Sequence, residues 1–200
     1  MPASATIISG SVDIPPSAAT AQFVKLTVPL ANPIGPLDTV GSDNFQSPNL
    51  FGFDESQNTT VLGSPLVLDE FSGLSTLPVG TVVASHYVFF DPVSGQVLGR
   101  VNFDSPVLGI ITTTSHLAVS DYLANTGVNY LNPGARGLEP GDLVTISGTN
   151  QIFFHTFASS PGDYVRVLTE FSPAAAPEPA TLALLGVGLA GLAASRRRKQ

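Results

Sequence analysis

Three histidines, His86, His116 and His155, are the side chains of this 200-residue chain best suited to acid–base work near neutral pH. Two of them directly follow serines, as Ser85-His86 and Ser115-His116. A serine nucleophile needs its histidine within hydrogen-bond reach, but neighbours on a strand point to opposite faces, so adjacency argues against a catalytic dyad. No G-x-S-x-G elbow occurs. His86 lies in the alternating row Val82, Ala84, His86, Val88, Phe90, and His155 sits between Phe153 and Phe157. Packed histidines with one hydrogen bond each are therefore expected, and no catalytic residue is assigned. A hydrolase acting on a matrix polymer would have to use His86 or His116 as its acid/base.

Metal chemistry has little better footing. H-E-x-x-H and the D-x-[DN]-x-[DN]-G calcium loop are both absent. Acidic pairs do fall in expected loops: Asp54-Glu55, Asp69-Glu70, and Asp38 with Asp43-Asn44. Such oxygen ligands could hold a structural Ca²⁺ but define no ligand set, and the alternative is solvated carboxylates that keep the chain soluble. No other cofactor is expected. Cysteine is absent, which excludes disulfides, thiolate zinc sites and a thiol nucleophile. Tyr87, Tyr122, Tyr130 and Tyr164 are candidates for an aromatic sugar-binding platform, although Trp is absent. Core-edge packing is the competing expectation for them.

Charge separates the chain into two physical objects. Residues 1–172 hold four basic residues (Lys25, Arg100, Arg136 and Arg166) against fourteen acidic ones, a net −10. Residues 173–200 hold four basic residues and Glu178, a net +3, which brings the total to −7. So few cations exclude a nucleic-acid binder. In the tail, Ala180-Thr181-Leu182-Ala183-Leu184-Leu185-Gly186-Val187-Gly188-Leu189-Ala190-Gly191-Leu192 continues to Ser195 without a charge, and Arg196, Arg197, Arg198 and Lys199 follow. As a helix, residues 180–195 would reach about 24 Å. That is somewhat short of a hydrocarbon core of about 30 Å, a mismatch that snorkelling and local thinning can absorb. The segment has no polar face and reads as a single membrane helix. Its basic end marks the cytoplasmic side, which places the acidic body across the membrane. Gly186, Gly188 and Gly191 spell G-x-G-x-x-G, but only nine residues follow, too few for a dinucleotide-binding unit. Small residues for close helix packing explain them better.

Pro177-Glu178-Pro179, the apolar segment and the Arg-rich end together resemble the PEP-CTERM sorting signal, over roughly residues 175–199. The resemblance implies that the tripeptide is read by exosortase, a membrane transpeptidase. It also implies that the apolar helix and basic cluster hold the precursor in the inner membrane until processing. A Gram-negative-type bacterium, export, and a destination at the cell surface or in an exopolysaccharide or biofilm matrix follow from the same likeness. Exopolysaccharide would then be a partner of the body. Export also calls for a signal peptide. Met1–Thr6 lacks a basic n-region and a long apolar run, whereas Ala3-Ser4-Ala5 looks like the end of a cleavage site. The expectation is that a signal peptide lies upstream.

The body must position whatever it binds, and it reads as strands. Residues 6–172 lack long 3.6-residue periodicity. Gln96–Phe103 alternates, with Val97, Val101 and Phe103 on one face. Tyr164–Phe171 alternates likewise, placing Arg166 opposite Val165 and Val167. Thr81–Phe90 is apolar on both faces, which suits a covered central strand, and should pair with 96–103 as a hairpin across 91–95. Further strands are expected at Thr6–Ile14, Gln22–Val28, Val61–Leu68, Val107–Thr113, Leu143–Ser147 and Gln151–Phe157, with one short helix at Ser120–Asn125 capped by Ser120. Pro-Gly-Asp turns at 140–142 and 161–163 each introduce a strand. The expected architecture is all-β: an antiparallel β-sandwich or jelly-roll-like domain over 1–172, a Pro/Ala linker with the PEP motif over 173–179, a transmembrane helix over 180–195 and a basic cytoplasmic tail over 196–200. A closed barrel is the alternative for the body.

Overall fold

Alternation and turn residues determine most of what folds. A computed structural model describes residues 5–14 and 21–171, which belong to one compact unit, Ser4–Ser172. The strands run in order β1 (Ile7–Ile14), β2 (Phe23–Lys25), β3 (Thr39–Val40), β4 (Leu50–Asp54), β5 (Thr59–Thr60), β6 (Leu66–Val67), β7 (Glu70–Phe71) and β8 (Thr76–Leu77). They continue through β9 (Val82–Phe90), β10 (Gly95–Phe103), β11 (Val107–Ile111), β12 (Asn129–Tyr130), β13 (Leu143–Gly148), β14 (Gln151–Ala158) and β15 (Asp163–Glu170). Among the described residues helix is almost absent: α1 (Thr114–Val119) and 3₁₀ turns at Asp121–Leu123 and Pro133–Ala135.

A four-stranded sheet has the order β1-β10-β14-β13, and a seven-stranded sheet has β2-β4-β9-β15-β11-β7 with β5 added beside β9. Two further pairs, β12-β3 and β6-β8, complete the described strands. One apolar cluster draws on both large sheets: Val97, Val101, Phe103, Ile152 and Phe154 from the smaller, and Val88, Phe90, Ile110, Val165 and Val167 from the larger. The intervening residues of the larger sheet, including Phe51, Phe53, Tyr87, Phe89 and Tyr164, pack on the other side against Leu30, Phe45, Leu117 and Leu123. There Phe51 and Phe89 stack at 5.2 Å and Phe89 and Tyr164 at 5.4 Å. Every residue from Val83 to Phe90 is buried, as expected of a strand apolar on both faces. β10 alternates as its sequence implies, burying Val97, Val101 and Phe103 and leaving Leu98, Arg100 and Asn102 part-exposed.

Several expectations are corrected. β9 and β10 do not form a hairpin: β9 pairs with β4, β5 and β15, while β10 pairs with β1 and β14. The 91–94 connection carries the chain from one large sheet to the other, because the doubly apolar β9 needs covered neighbours and the half-polar β10 does not. Nor is the pairing wholly antiparallel, since β2 runs parallel to β4 and β12 parallel to β3. The expected helical turn is the 3₁₀ turn Asp121–Leu123 with Ser120 at its N-cap position, but α1 precedes it from Thr114, and Ser120 Oγ donates back to the Leu117 carbonyl of α1 at 2.9 Å and makes no side-chain cap to the 3₁₀ turn. Residues 61–65 and 68 are not strand, so the expected Val61–Leu68 element shrinks to β6 (Leu66–Val67), and β5 lies just before it. β4 was not expected from its sequence, which is interrupted by Gly52; a Cβ there would lie 2.9 Å from Ile7 Cδ1, so a side chain would require Ile7 to shift. Both Pro-Gly-Asp turns do introduce strands, β13 and β15, with Gly141 and Gly162 at φ of 110° and 93°.

Candidate functional site

The side chains singled out for chemistry mostly meet in two hydrogen-bonded networks. β4 ends at Asp54 opposite His86 of β9, so the adjacent pairs Asp54-Glu55 and Ser85-His86 meet on both faces of the sheet. On one face, Ser85 Oγ donates to Glu55 Oε2 at 2.6 Å. Glu55 also accepts from Arg166 Nε at 2.7 Å, from Arg166 Nη2 at 3.0 Å and from the Tyr130 hydroxyl at 2.5 Å. Arg166 and Glu55 side chains are both fully buried. The remaining guanidinium donors reach Ser120 Oγ at 2.6 Å and the Leu117 carbonyl at 3.2 Å, and the group lies 5.8 Å from the Tyr87 ring. Burial disfavours the guanidinium charge, but Glu55 outweighs it and raises Arg166 above the ordinary arginine value. Arg136 is held in parallel by Asp121, with contacts of 2.8 and 2.5 Å.

On the other face, fully buried His86 directs Nδ1 to Asp54 Oδ1 at 2.8 Å and Nε2 to Thr169 Oγ1 at 3.1 Å. Asp54 additionally receives Lys25 Nζ at 2.8 Å, Thr6 Oγ1 at 2.7 Å and the Ile7 amide at 3.0 Å. Burial opposes its charge, yet His86, Lys25 and that amide hold the carboxyl well below the usual carboxylate range. Ser85 and His86 serve opposite faces, as strand geometry requires, whereas Ser115 and His116 lie in α1, where the strand argument does not apply. His116 Nδ1 bonds Asp69 Oδ1 at 2.6 Å, and Asp69 also accepts the Thr112 and Thr113 amides at 2.7 and 2.9 Å. His155 accepts from Gln96 Nε2 at 2.7 Å. Each histidine is thus tied to a fixed neighbour.

The acidic pairs expected in solvated loops are largely internal ligands of the protein itself. Asp38 accepts the Leu30 amide at 2.5 Å, Asn44 accepts the Ser42 amide at 3.1 Å, and Asp43 accepts from Ser160 Oγ. Among the described residues no three of His, Cys, Asp and Glu converge on a metal position. The tyrosines follow the core-packing expectation and do not form a platform: Tyr87 and Tyr164 are buried, Tyr130 is half-buried, and of the four only Tyr122 is exposed. On the outer face of the four-stranded sheet, part-exposed Phe153 and His155 and exposed Phe157 follow one another along β14. Phe157 is 64% exposed, and Arg100 stands 5.5 Å from the Phe153 ring. Sequence reasoning placed Arg166 on the strand face it shares with Tyr164, Leu168 and Glu170 and missed Glu55 as its partner. It also missed Asp91 and Asp163, which are buried where two connections meet β9 and β15.

The remaining candidates form the tail: Pro177, Glu178 and Pro179, the run from Ala180 to Leu192, and Arg196 to Lys199. All lie outside the described residues. No helix among the described residues is long and apolar enough to cross a membrane. The family comparison decides the reading of this segment, because the model of the PEP-CTERM protein-sorting motif matches residues 175–199. The chain carries a PEP-CTERM sorting motif. It takes in the tripeptide, the apolar run and the basic cluster together, in the order an exosortase-directed signal requires. Such a signal implies a membrane-anchored precursor that is processed and exported to the surface. No curated protein and no solved structure matches the chain, so the motif speaks for the tail and not for the body.

Proposed function

We propose that this is an exported, non-enzymatic protein whose β body is delivered to the cell surface or extracellular matrix by exosortase processing of its PEP-CTERM tail. The observation that carries this reading is the motif at 175–199. Residues 180–195 act as the temporary transmembrane anchor, and Arg196–Lys199 stay on the cytoplasmic side. The body's histidines support a non-enzymatic role, because His86 and His116 are held by Asp54 and Asp69 and His155 by Gln96. Fractionation tests it in a host with exosortase. The precursor should be membrane-bound and Glu178→Ala should trap it there at full length, whereas unchanged processing of that variant would show that the tripeptide is not read.

A second reading has its own observation. The outer face of the four-stranded sheet presents Phe153, His155 and Phe157 beside Gln96, Arg100, Asn102 and Gln151, with register pairs Arg100↔Phe153 and Gln96↔Phe157. Exposed rings offer surfaces to sugar C–H groups, and amides offer hydrogen bonds, so this face suits an exopolysaccharide strand. Binding of the full-length chain to immobilised exopolysaccharide should fall at least tenfold on Phe157→Ala with Phe153→Ala. Equal retention of the variant would remove this reading.

A further inference from the structure

Asp163 is 3% exposed, and its Oδ2 has no hydrogen-bond partner. It lines a cavity of about 20 Å³ formed by Gly137, Glu139 and the turn Ser159–Gly162. That volume suffices for one water-sized or ion-sized occupant. Asp142 and Glu139 add negative charge around Asp163. On the other flank of the same turn, Ser160 Oγ donates to Asp43, and fully buried Asp91 receives the Phe45 amide on Oδ2 while its Oδ1 has no partner. Gly162 holds the turn against this acid, since a Cβ there would come within 2.7 Å of the Phe90 carbonyl and 3.2 Å of Asp91 Oδ1. Asp163 itself pairs with Phe90 across the sheet, so both flanks are anchored to one end of β9.

None of the body's four basic residues neutralises this turn. Lys25 pairs with Asp54, Arg100 with Asp13, Arg136 with Asp121, and Arg166 with Glu55. Buried carboxylates without a cationic partner are costly, and the ordinary remedies are protonation or a bound cation.

The geometry points to a divalent-cation site, suited to Ca²⁺, in the Ser159–Asp163 turn, with Asp163 and Glu139 as its carboxylate ligands. The polar side chains of the lining are those of Glu139, Ser159, Ser160 and Asp163, beside apolar Ala135, Ala158 and Pro161, and oxygen groups of this kind suit a hard cation that accepts carboxylates, carbonyls and water in irregular number. Two carboxylates complete no preformed cluster of three such side chains. The remaining positions fall to backbone oxygens of the turn and to water. Such a ligand set corresponds to the weak end of calcium affinities, about 10⁻⁴–10⁻³ M, typical of extracellular modules. Asp43 and Asp91, behind the turn, strengthen the local negative field without needing to touch the ion. This inference does not depend on how the tail is processed.

Terbium luminescence provides the test, because Tb³⁺ replaces Ca²⁺ at oxygen sites and is sensitised by a nearby aromatic ring. The chain has no Trp, and the Tyr164 hydroxyl donates to the Pro161 carbonyl of this turn at 2.7 Å. With the full-length chain in detergent, excitation of tyrosine should give Tb³⁺ emission that Ca²⁺ displaces, and Ca²⁺ should raise the melting temperature. Asp163→Asn should weaken binding at least tenfold and Glu139→Gln several-fold, while Asp13→Asn, in the Arg100 pair, should leave it unchanged. Absence of any Ca²⁺ response in the wild type would overturn the site, as would unweakened binding in Asp163→Asn. Should Asp163→Asn fail to fold, Glu139→Gln, altered at an exposed side chain, decides: unchanged affinity there contradicts the proposal.

Discussion

The Asp54–Glu55 corner and the Asp91/Asp163 turn set the same residue type in two opposite situations. In the first, every buried carboxylate oxygen meets a donor, and a cation or imidazole stands within 3 Å of each acid. In the second, Asp91 and Asp163 each keep an oxygen without a partner and have other acids as their charged neighbours. Burial acts on both regions in the same direction, so the partner decides the outcome. Asp54 stays far below the ordinary value, whereas burial, aided by Asp43, pushes Asp91 up to about 6. Burial, aided by Asp142 and Glu139, pushes Asp163 up to about 7 despite the Thr156 hydroxyl. One region is a finished structural joint; the other has spare capacity for a ligand.

The sharpest way to break this contrast is to remove a partner from the finished joint. Glu55→Ala leaves Arg166 buried without its carboxylate and should cost about 3–5 kcal/mol in urea unfolding. Glu55→Leu with Arg166→Met should recover most of that loss, since a buried ion pair replaced as a unit is often neutral. The second expectation concerns the turn. A carboxyl whose folded pKa is raised binds its proton more tightly when folded, so its stabilising contribution is complete below the unfolded value near 4 and is lost as pH rises to about 6 for Asp91 and about 7 for Asp163. Asp163→Asn should therefore flatten stability between pH 4 and 7 and gain about 2–4 kcal/mol at pH 7.5 relative to wild type. A steeper profile in the variant would contradict the assignment.

Asp54 should show the opposite sign. Its folded pKa is depressed, so its contribution is present above pH 4 and disappears as pH falls through the acid range. Asp54→Asn removes charge-assisted bonds to His86 and Lys25 and should cost about 1.5–3 kcal/mol at pH 7, shrinking toward zero below pH 3. The smallest effect is expected at the surface pair, where the Arg100 side chain is 43% exposed and Asp13 33% exposed. Arg100→Ala should change stability by less than about 1 kcal/mol, and less still in high salt.

Contiguous signals were legible in the sequence, and those that needed distant partners were not. The alternation of Gln96–Phe103, the doubly apolar Val82–Phe90 and the two Pro-Gly-Asp turns are local properties, and each appears where its residues imply. Sheet membership is not local. Asp91-Pro92-Val93-Ser94-Gly95 has hairpin chemistry, but β9 finds better-covered neighbours in β4 and β15, so the chain crosses to the other sheet. The buried site was hidden for the same reason. An arginine between Val165 and Val167 reads as a solvent-facing residue until Glu55, 111 positions away, is seen to satisfy it. The tail is the extreme of legibility, since its tripeptide, apolar run and basic cluster lie within 25 consecutive residues.

The central claim, that the tail is an address removed by exosortase, is most directly tested by the intact mass of the protein recovered from the cell surface of an exosortase-bearing host. The account predicts a product lacking the apolar run from Ala180 and everything after it, and a full-length, membrane-retained chain when the exosortase is deleted. A surface product that still ends at Gln200, or one shortened equally in the deletion strain, would contradict it.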